Sequence, residues 1–342
     1  MKIVRLIKKS RGVLNGVSFL VNQSIVIDAG FSMKENIGFY SQIKDIGNWV
    51  CGQRIPNWKY VPSSFNLFIS HAHEDHFAGI YSIPHDKKYN LFTSKQTYKI
   101  MVEKSKQLGL AFPKPSKVVF LNNLKEYVFG EITIVPRLVK HNIPGNYLFL
   151  ISCGGKKIVY SPDYNEPFWR KISLDGGDTL ITDFLPELPK YIKGRFDGTK
   201  IKRFIHDNRQ LIIVDHGWDI SFILSILKLA EADEKKIFLS LTIATNLKVV
   251  GVRVSKYAVL EKVFINKKKF IIIGDLSDYK TVRDKYPNIA SISNNYSLNL
   301  MFRNHKKTPF LNVFKGGHLS GQFLKKYLNG KQVKVIKVNY YR

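Results

Sequence analysis

Short apolar runs separated by turn residues make up most of the first half of the chain. These runs are rich in β-branched and aromatic residues, which favour strands, and they read GVSFLVNQSIVIDAG, FNLFIS, KVVFL, EITIVPRLVK, NYLFLIS and KKIVYS. Between them, the window SKQTYKIMVEKSKQLGL places Tyr98, Met101 and Val102 at helical spacing, which predicts a helix with these residues on its apolar face. The first half therefore predicts strands covered by helices.

From about Leu180 the pattern changes to strands that alternate with helices. The strand-like runs LIIVDHG, KKIFLS and KKKFIIIGDLS are separated by helical windows such as DISFILSILKLAEAD, which predicts a separate parallel sheet. Asp219 is expected to cap that helix. Its apolar stripe is expected in the core and consists of Phe222, Ile223, Ile226, Leu227 and Ala230. The tail predicts a helix, a turn at Asn329 and Gly330, and a final alternating strand.

Composition adds a strong positive charge to this picture. The 342 residues include 54 Lys and Arg against 26 Asp and Glu, a net charge of +28. Such a charge favours a polyanionic partner, either nucleic acid or a membrane surface. A basic background without any such partner is the alternative interpretation. The two cysteines, Cys51 and Cys153, are too few for a disulfide framework or a thiolate metal site, which favours a reducing compartment.

Targeting signals are not evident in the sequence. The N-terminus MKIVRLIKKSRGVLNG lacks a long apolar stretch and a small-residue cleavage site. Apolar runs also fall short of the roughly 18 residues that would span a bilayer. Since 44% of the residues are hydrophobic, the chain can bury a core. We therefore expect a soluble, cytoplasmic protein without a membrane partner.

The stretch FISHAHEDHF carries three histidines and two acids directly after an apolar run. Imidazole and carboxylate are ligands that zinc and manganese accept. His71 and His73 alternate, so both can point the same way from an extended backbone, and Asp75 and His76 follow as the chain turns. This spacing predicts two neighbouring ions, with His71 and His73 on one and Asp75 and His76 on the other. A solvated polar loop is the alternative.

Two ions need further ligands from the ends of other strands. His141 ends the apolar run ITIVPRLVK, and Asp163 follows KKIVY in SPDYN. A lone histidine or aspartate at a strand end is usually a cap or turn residue, but beside the cluster both become candidate ligands. A carboxylate can bridge two ions, which favours Asp163 as the shared ligand.

These segments resemble the motifs of the metallo-β-lactamase fold. FISHAHEDHFAGI, VKHNIPGNYLFLI and IVYSPDYN are similar to its second, third and fourth motifs, and the residues around them resemble ribonuclease J in particular. The segment IVIDAG resembles the early strand of the family, whose aspartate, here Asp28, orders the metal loop. The segment DTLITDF resembles the acidic motif A of the nucleic-acid-processing β-CASP group, which implies a catalytic role for Asp183.

The resemblance implies an α/β fold, namely a metallo-β-lactamase αββα sandwich with an inserted β-CASP α/β domain. QLIIVDHGWDISFILSILKLAEADEKKIFLS and KFIIIGDLSD resemble the insertion, and GGHLSGQ resembles the return to the core. The implied domains are 1–195 for the first part of the core, 196–305 for the insertion and 306–342 for the return. No counterpart of the C-terminal domain of ribonuclease J is expected, so an oligomer is possible but unsupported.

Two positions depart from the family pattern. The family's return segment reads His-x-Ser-Gly-His, but here His318, Ser320, Gly321 and Gln322 follow that pattern with glutamine in place of the last histidine. Asn339 is the nearest match to a further histidine that binds the second ion in the family. An amide oxygen is a poorer zinc ligand than imidazole, so these departures put the second ion in doubt. His318, Ser320, Gly321 and Gln322 are expected to contact the substrate.

Residues and resemblance together predict a metal-dependent nuclease, exonuclease or endonuclease, that acts on single-stranded RNA, with DNA as an alternative substrate. Two zinc ions per chain are expected, with manganese or magnesium as alternatives, to activate a water for attack on phosphorus. Asp75, Asp183 and His318 are the expected catalytic residues. Basic stretches lie in or beside the insertion, and their aromatic residues either stack on bases or lie in the core: Phe196, Phe270 and Phe302.

Two other classes of function stay open. A nucleic-acid-binding protein that has lost catalysis is favoured by Gln322 and Asn339. A small-molecule hydrolase, such as a lactonase or thioesterase, is disfavoured by the basic insertion, because a small substrate needs no such domain. His216, in VDHGWD, is either a group that contacts phosphate or an ordinary residue at the end of a strand.

Overall fold

The computed structural model describes most of the chain. It covers residues 1–7, 13–14, 16–34, 54–163, 179–185, 197–215, 217–233, 235–260, 269–274, 276–286, 289–293, 310–312, 319–320 and 334–339. The chain forms two compact units. The first consists of Met1–Glu187 and Gly317–Arg342, and the second of Leu188–Gly316. The domain boundaries expected after residues 195 and 305 stay a prediction.

The first unit contains a six-stranded mixed sheet. Its strands are β1 (Ile3–Arg5), β3 (Phe19–Val21), β4 (Ile25–Ile27), β6 (Ser64–Phe68), β7 (Lys88–Thr93) and β8 (Lys117–Phe120), in the order β1-β3-β4-β6-β7-β8. β1, β3 and β4 pair antiparallel, whereas β4, β6, β7 and β8 pair parallel. The carboxyl ends of β4 and β6 therefore meet at one edge of the sheet. Two further strands, β2 (Val13–Leu14) and β5 (Met33–Lys34), form a separate small ladder.

A second sheet in the same unit is antiparallel at one side and parallel at the other. Its strands are β9 (Tyr127–Phe129), β10 (Ile132–Leu138), β11 (Tyr147–Cys153), β12 (Lys156–Ser161), β13 (Thr179–Leu185), β20 (Leu319–Ser320) and β21 (Lys334–Asn339). β9 to β12 are antiparallel neighbours, and β12, β20 and β21 each pair parallel with β13. β21 confirms the strand predicted at the end of the chain.

Aromatic side chains join the two sheets of the first unit face to face. Phe68 stacks on Phe92 within the first sheet at 4.6 Å between ring centres, and it meets Phe149 of the second sheet edge-on at 5.6 Å. Phe92 likewise meets Phe129 edge-on at 5.4 Å. Because alternate residues of a strand point to one face, each sheet contributes one apolar side to a shared core. The unit is therefore a two-sheet sandwich.

The described part of the first unit contains one four-residue helix, one longer helix and two 3₁₀ segments. The structure describes α1 (Glu74–Phe77), α2 (Lys95–Gln107), and two 3₁₀ segments at Trp58–Tyr60 and Ala78–Ser82. α2 begins after Ser94, whose hydroxyl accepts a hydrogen bond from the main-chain N–H of Thr97 at 2.9 Å, as expected of an N-cap serine.

The helix predicted over SKQTYKIMVEKSKQLGL is confirmed, but its expected apolar face is wrong in part. Met101 is buried, whereas Tyr98 and Val102 are only half-buried. The buried residues of α2 are Thr97, Ile100, Met101, Lys104 and Ser105. The face that the helix buries therefore includes a lysine, which hydrophobic periodicity does not predict.

The second unit contains one parallel sheet. Its strands are β14 (Gln210–Val214), β15 (Lys236–Ser240), β16 (Ala258–Leu260), β17 (Phe270–Gly274), β18 (Ala290–Ser293) and β19 (Phe310–Asn312), in the order β16-β15-β17-β14-β18-β19. Every described pair in this sheet is parallel. The helices that the structure describes in this unit are α3 (Gly198–Asp207), α4 (Ile220–Ala230), α5 (Leu241–Val249) and α6 (Leu276–Lys285).

Local sequence accounts for this second sheet. All residues of β17 are buried, as is typical of a parallel strand covered on both faces. Asp219 caps α4 by accepting a hydrogen bond from the N–H of Phe222 at 2.9 Å, and the predicted apolar stripe of α4 is buried. Phe270 is fully buried 5.3 Å from the ring of Tyr286, so it belongs to the core and cannot stack on a base.

The predicted α/β class is confirmed by these sheets and helices. The metallo-β-lactamase and β-CASP assignments within that class stay predictions at this point. Among the residues that the structure describes, no helix combines the length and the apolar character needed to cross a bilayer.

Candidate metal centre

A loop after β6 carries the densest group of candidate ligands, and we call residues 71–77 the histidine loop. It follows the carboxyl end of β6, beside the end of β4. The segment after β4 holds it closely: the N–H of Ala29 donates to the carbonyl of His76 at 2.8 Å. A Cβ atom at Gly30 would lie 1.7 Å from the carbonyl oxygen of Asp75. Only glycine therefore permits this close packing of the two segments.

Four side chains converge in what we call the first donor group: His71, His73, His141 and Asp163. Nε2 of His71 lies 3.0 Å from Nδ1 of His73, and Nε2 of His141 lies 3.2 Å from the same Nδ1. Oδ2 of Asp163 lies 3.9 to 4.0 Å from all three nitrogens. His141 and Asp163 follow β10 and β12, so three separate strand ends supply this group.

The second donor group consists of Asp75, His76 and Asp163. Nε2 of His76 lies 3.5 Å from Oδ2 of Asp75 and 3.8 Å from Oδ1 of Asp163. The two oxygens of Asp163 therefore face different groups, Oδ2 the first and Oδ1 the second. This is the arrangement required of a carboxylate that bridges two ions.

The donor atoms fit divalent metal ions. Ligand atoms about 2.1 Å from one zinc ion in a tetrahedral arrangement lie about 3.4 Å apart, and the spacings in the first donor group bracket this value. Nε2 of His76 is buried and makes no hydrogen bond to any described residue, although buried polar atoms normally have a partner. A metal ion would satisfy this nitrogen. The mixture of imidazole and carboxylate suits zinc or manganese.

Asp28 orients two of the histidines. Its Oδ2 accepts hydrogen bonds from Nδ1 of His76 at 2.7 Å and from the hydroxyl of Ser70 at 2.8 Å. Because the proton of Ser70 is used in this way, Nδ1 of His71 donates to Ser70 at 3.0 Å. Both histidines therefore carry a proton on Nδ1, so that Nε2, which faces the donor groups, is the nitrogen through which each would bind a metal ion.

Burial and neighbouring charges give the two central histidines opposite pKa shifts. Burial, together with the nearby rings of His76, His73 and His141, lowers the pKa of His71 well below its usual value. Burial acts in the same direction on His76, but the carboxylates of Asp75, Asp163 and Asp28 outweigh it and raise the pKa of His76 well above its usual value. The neutral form of His71 is the form that binds metal, whereas His76 must lose a proton first.

Two residues that sequence reasoning missed support these ligands. The hydroxyl of Tyr160 donates a short hydrogen bond to Asp28, which adds a third donor to Oδ2 of that carboxylate. The side-chain amide of Asn146 donates to the main-chain oxygen of Asp163 at 2.6 Å. Tyr160 ends an apolar run three residues before Asp163, and Asn146 precedes an apolar run five residues after His141. A polar group that borders an apolar run close to a candidate ligand is the signal that would have identified both residues.

Other predicted site residues are described only in part or not at all. Asp183 lies in β13, Ser320 in β20 and Asn339 in β21, as strand positions whose side chains are not described. In the parallel register, Asp183 is opposite Val338 and Asn339 is opposite Phe184. The remaining expected residues lie outside the described residues: His318, Gly321, Gln322 and His216. Their roles stay predictions.

Comparisons with known proteins identify the fold rather than a family. No protein-family model and no curated protein matches the sequence. A crystal structure of a protein of unknown function from Enterococcus faecalis V583 matches 98% of this chain and 93% of its own, with a TM-score of 0.68 and 15% identity. At this identity the two chains share a fold and nothing further is implied.

A second solved structure is similar over a smaller part. Zinc-bound PqqB from Methylobacterium extorquens matches 54% of this chain and 73% of its own, with a TM-score of 0.38 and 12% identity. This likeness is too weak to support an argument about function. The case for a metal centre in this chain therefore rests on its own two donor groups.

Proposed function

We propose that this chain is a metal-dependent phosphodiester hydrolase of the β-CASP group of the metallo-β-lactamase fold, and that its substrate is RNA. The observation that carries the proposal is the pair of donor groups that share Asp163, with one carboxylate oxygen facing each. Two adjacent divalent ions are a recurring arrangement in enzymes that cleave phosphate esters. The sequence resemblance to ribonuclease J supports the same class.

The residues of the centre have distinct tasks in this proposal. His71, His73, His141 and Asp163 would hold one ion, and Asp75 and His76 would hold the other together with Asp163. A bound divalent ion supplies Lewis-acid chemistry, because it lowers the pKa of water and neutralises negative charge on phosphate. Asp28 and Ser70 keep the imidazoles in the required tautomer.

Access to the centre is one-sided. The side chains of His71, His76 and His141 are fully buried, whereas that of His73 is 21% exposed. Substrate would therefore approach past His73. The buried side chains behind it exclude water, so that electrostatic interactions with a phosphate are stronger than they would be in solvent.

A nucleic-acid substrate is supported by charge. The net charge of +28 makes a polyanion the natural partner. In the second unit, Lys202, Arg203 and His206 project from one face of α3 and line a groove of about 290 Å³ whose apolar side includes Leu229 and Ile205. Basic side chains beside an apolar surface suit a strand of nucleic acid, although the carboxylate of Asp233 also lies at this groove.

A nucleic-acid-binding protein without catalysis is the second candidate. Gln322 and Asn339 stand where the family carries histidines, and among the described residues the second donor group has three donors where the first has four. Weak occupancy of the second group would leave RNA binding intact and abolish cleavage.

Incubation with end-labelled RNA and DNA strands in the presence of zinc, manganese or magnesium tests the proposal. We expect cleavage of single-stranded RNA with at least one metal, none with a chelator, and none by the Asp75→Ala variant. Binding of RNA without cleavage under every condition would support the second candidate. Cleavage retained by Asp75→Ala would reveal a contaminating nuclease.

A further inference from the structure

A buried lysine on α2 contacts the histidine loop. Lys104 is only 2% exposed. Its ammonium donates hydrogen bonds to the main-chain oxygen of Ala72 at 2.8 Å and to Oε1 of Glu74 at 2.6 Å. It also lies 5.7 Å from the centre of the Phe77 ring. Ala72 separates His71 from His73 in the sequence, so the ammonium binds the peptide that joins two candidate ligands.

The histidine loop needs such a contact because its local structure is weak. α1 has only four residues, too few to be stable by its own hydrogen bonds. His73 occupies its N-cap position, but within the described structure the imidazole makes no capping bond, since it faces the first donor group. A buried charge is costly unless it is paired and hydrogen-bonded. The contacts of Lys104 with the histidine loop contribute to meeting that condition, chiefly the one with the Glu74 carboxylate.

The same helix contacts the loop that supplies His141. The hydroxyl of Thr97 donates to the main-chain oxygen of Gly145 at 3.0 Å, in the turn between β10 and β11. Gly145 has φ +84°, and a Cβ atom there would lie 2.2 Å from the hydroxyl oxygen of Ser94. α2 therefore contacts both loops that bring histidines to the first donor group.

We propose that Lys104 is a positioning residue of the metal centre, whose ammonium sets the relative placement of His71 and His73. The inference rests on the proposed function, because it requires that the centre binds metal. Lys104 touches neither substrate nor metal in this role. Partners that orient metal ligands typically contribute ten- to hundredfold in metal affinity, and a similar loss is expected when the ammonium is removed.

Zinc titration of the metal-free chain against a chromophoric chelator tests the inference. Lys104→Met keeps the apolar stem and removes the charge, and we expect about ten- to hundredfold weaker binding at the first donor group. Lys104→Arg keeps a cationic donor and should recover part of the affinity. Lys106→Met is the matched control, because that lysine lies on the same helix with its side chain 71% exposed. It should bind zinc like the unmodified chain.

A second variant separates positioning from folding. Lys104→Met leaves the Glu74 carboxylate without its ammonium, which can prevent folding, so Lys104→Met with Glu74→Gln removes both charges together. We expect this double variant to unfold near the same temperature as the unmodified metal-free chain and to show the same loss of affinity. Unchanged affinity in the folded double variant would overturn the inference.

The remaining outcomes are also decisive. An arginine variant that binds zinc no better than the methionine variant would attribute the loss to packing and contradict a role for the ammonium. Failure of the unmodified chain to bind zinc, manganese or cobalt would instead refute the proposed function. The two failures are therefore distinguishable in one titration series.

Discussion

The two donor groups of the metal centre differ in how they are assembled. The first donor group combines His71 and His73 of one loop with His141 and Asp163 from two later strand ends. Within the part of the chain that the structure describes, the second donor group takes Asp75 and His76 from the same short helix and Asp163 from elsewhere. The first offers three nitrogens and one oxygen, whereas the second offers one nitrogen and two oxygens.

This difference indicates unequal affinity for metal. Four donors complete a tetrahedral zinc site, whereas the three described donors of the second group are rich in oxygen and suit a harder ion such as manganese. Two of the donors in the second group are neighbours in sequence, whereas the first group forms only when the two sheets pack together. We therefore expect the first group to bind zinc more tightly and the second to be filled at higher metal concentration.

Removal of the shared carboxylate should have the largest effect. Asp163→Ala deletes one donor from each group, so we expect loss of both bound ions and RNA cleavage reduced to background. Elemental analysis of the purified protein and digestion of labelled RNA measure these outcomes. Asp86→Ala, at an exposed position of the same unit, is the control. Normal metal content in Asp163→Ala would show that the carboxylate bridges nothing.

Variants of the separate groups should divide this effect into two parts. Asp75→Ala removes a donor only from the second group, and His141→Ala only from the first. We expect Asp75→Ala to retain the tightly bound zinc ion of the first group and to lose the weakly bound ion of the second group. His141→Ala should lower the zinc affinity of the first group. Zinc titration resolves the two steps. Identical titration curves for both variants would mean that the groups bind one ion jointly.

Tyr160→Phe should have a smaller, selective effect. The variant removes a hydrogen bond to Asp28, which orients Nδ1 of His76. We expect about tenfold weaker binding at the second donor group and a loss of about 1 kcal/mol in the free energy of unfolding. Tyr147→Phe is the matched control, because that buried hydroxyl donates to the carbonyl of Leu121 instead. An equal loss of affinity in both variants would argue against selective orientation.

The smallest expected effect is a loss of stability in acid, caused by protonation of Glu74. Burial alone would raise the pKa of Glu74, but the ammonium of Lys104 lowers it below its ordinary value of 4.5. A lowered folded-state pKa means that this carboxylate stabilises the protein fully above about pH 4.5 and progressively less as pH falls through the folded-state pKa.

Thermal unfolding of the metal-free chain and of Glu74→Gln tests whether the stabilisation from Glu74 decreases as pH falls. The difference between their unfolding temperatures should be constant above about pH 5 and should shrink towards pH 3. Glu126→Gln, at an exposed position, is the control. A difference that grows as pH falls would contradict the pairing of Glu74 with Lys104.

Local patterns were sufficient for much of the fold. The sequence alone predicted the cap at Asp219 and the final strand, because each depends on residue spacing within a single element. The alternation of strands with helices predicted the parallel sheet of the second unit, and the family resemblance implied the α/β class. The sequence also predicted a set of candidate ligands, since ligands at strand ends within a short loop leave a local signature. The roles of Asp183, His318 and Asn339 stay predictions.

Only the tertiary structure decided which face of α2 is buried and how the two oxygens of Asp163 are divided between the donor groups. Periodicity predicted Tyr98 and Val102 on the apolar face, yet the helix buries Lys104, because a carbonyl and a carboxylate distant in sequence satisfy its charge. The two oxygens of Asp163 face different donor groups only because three strand ends meet at one place. Sequence spacing determines which residues an element can present, but partners from other elements determine what those residues contact.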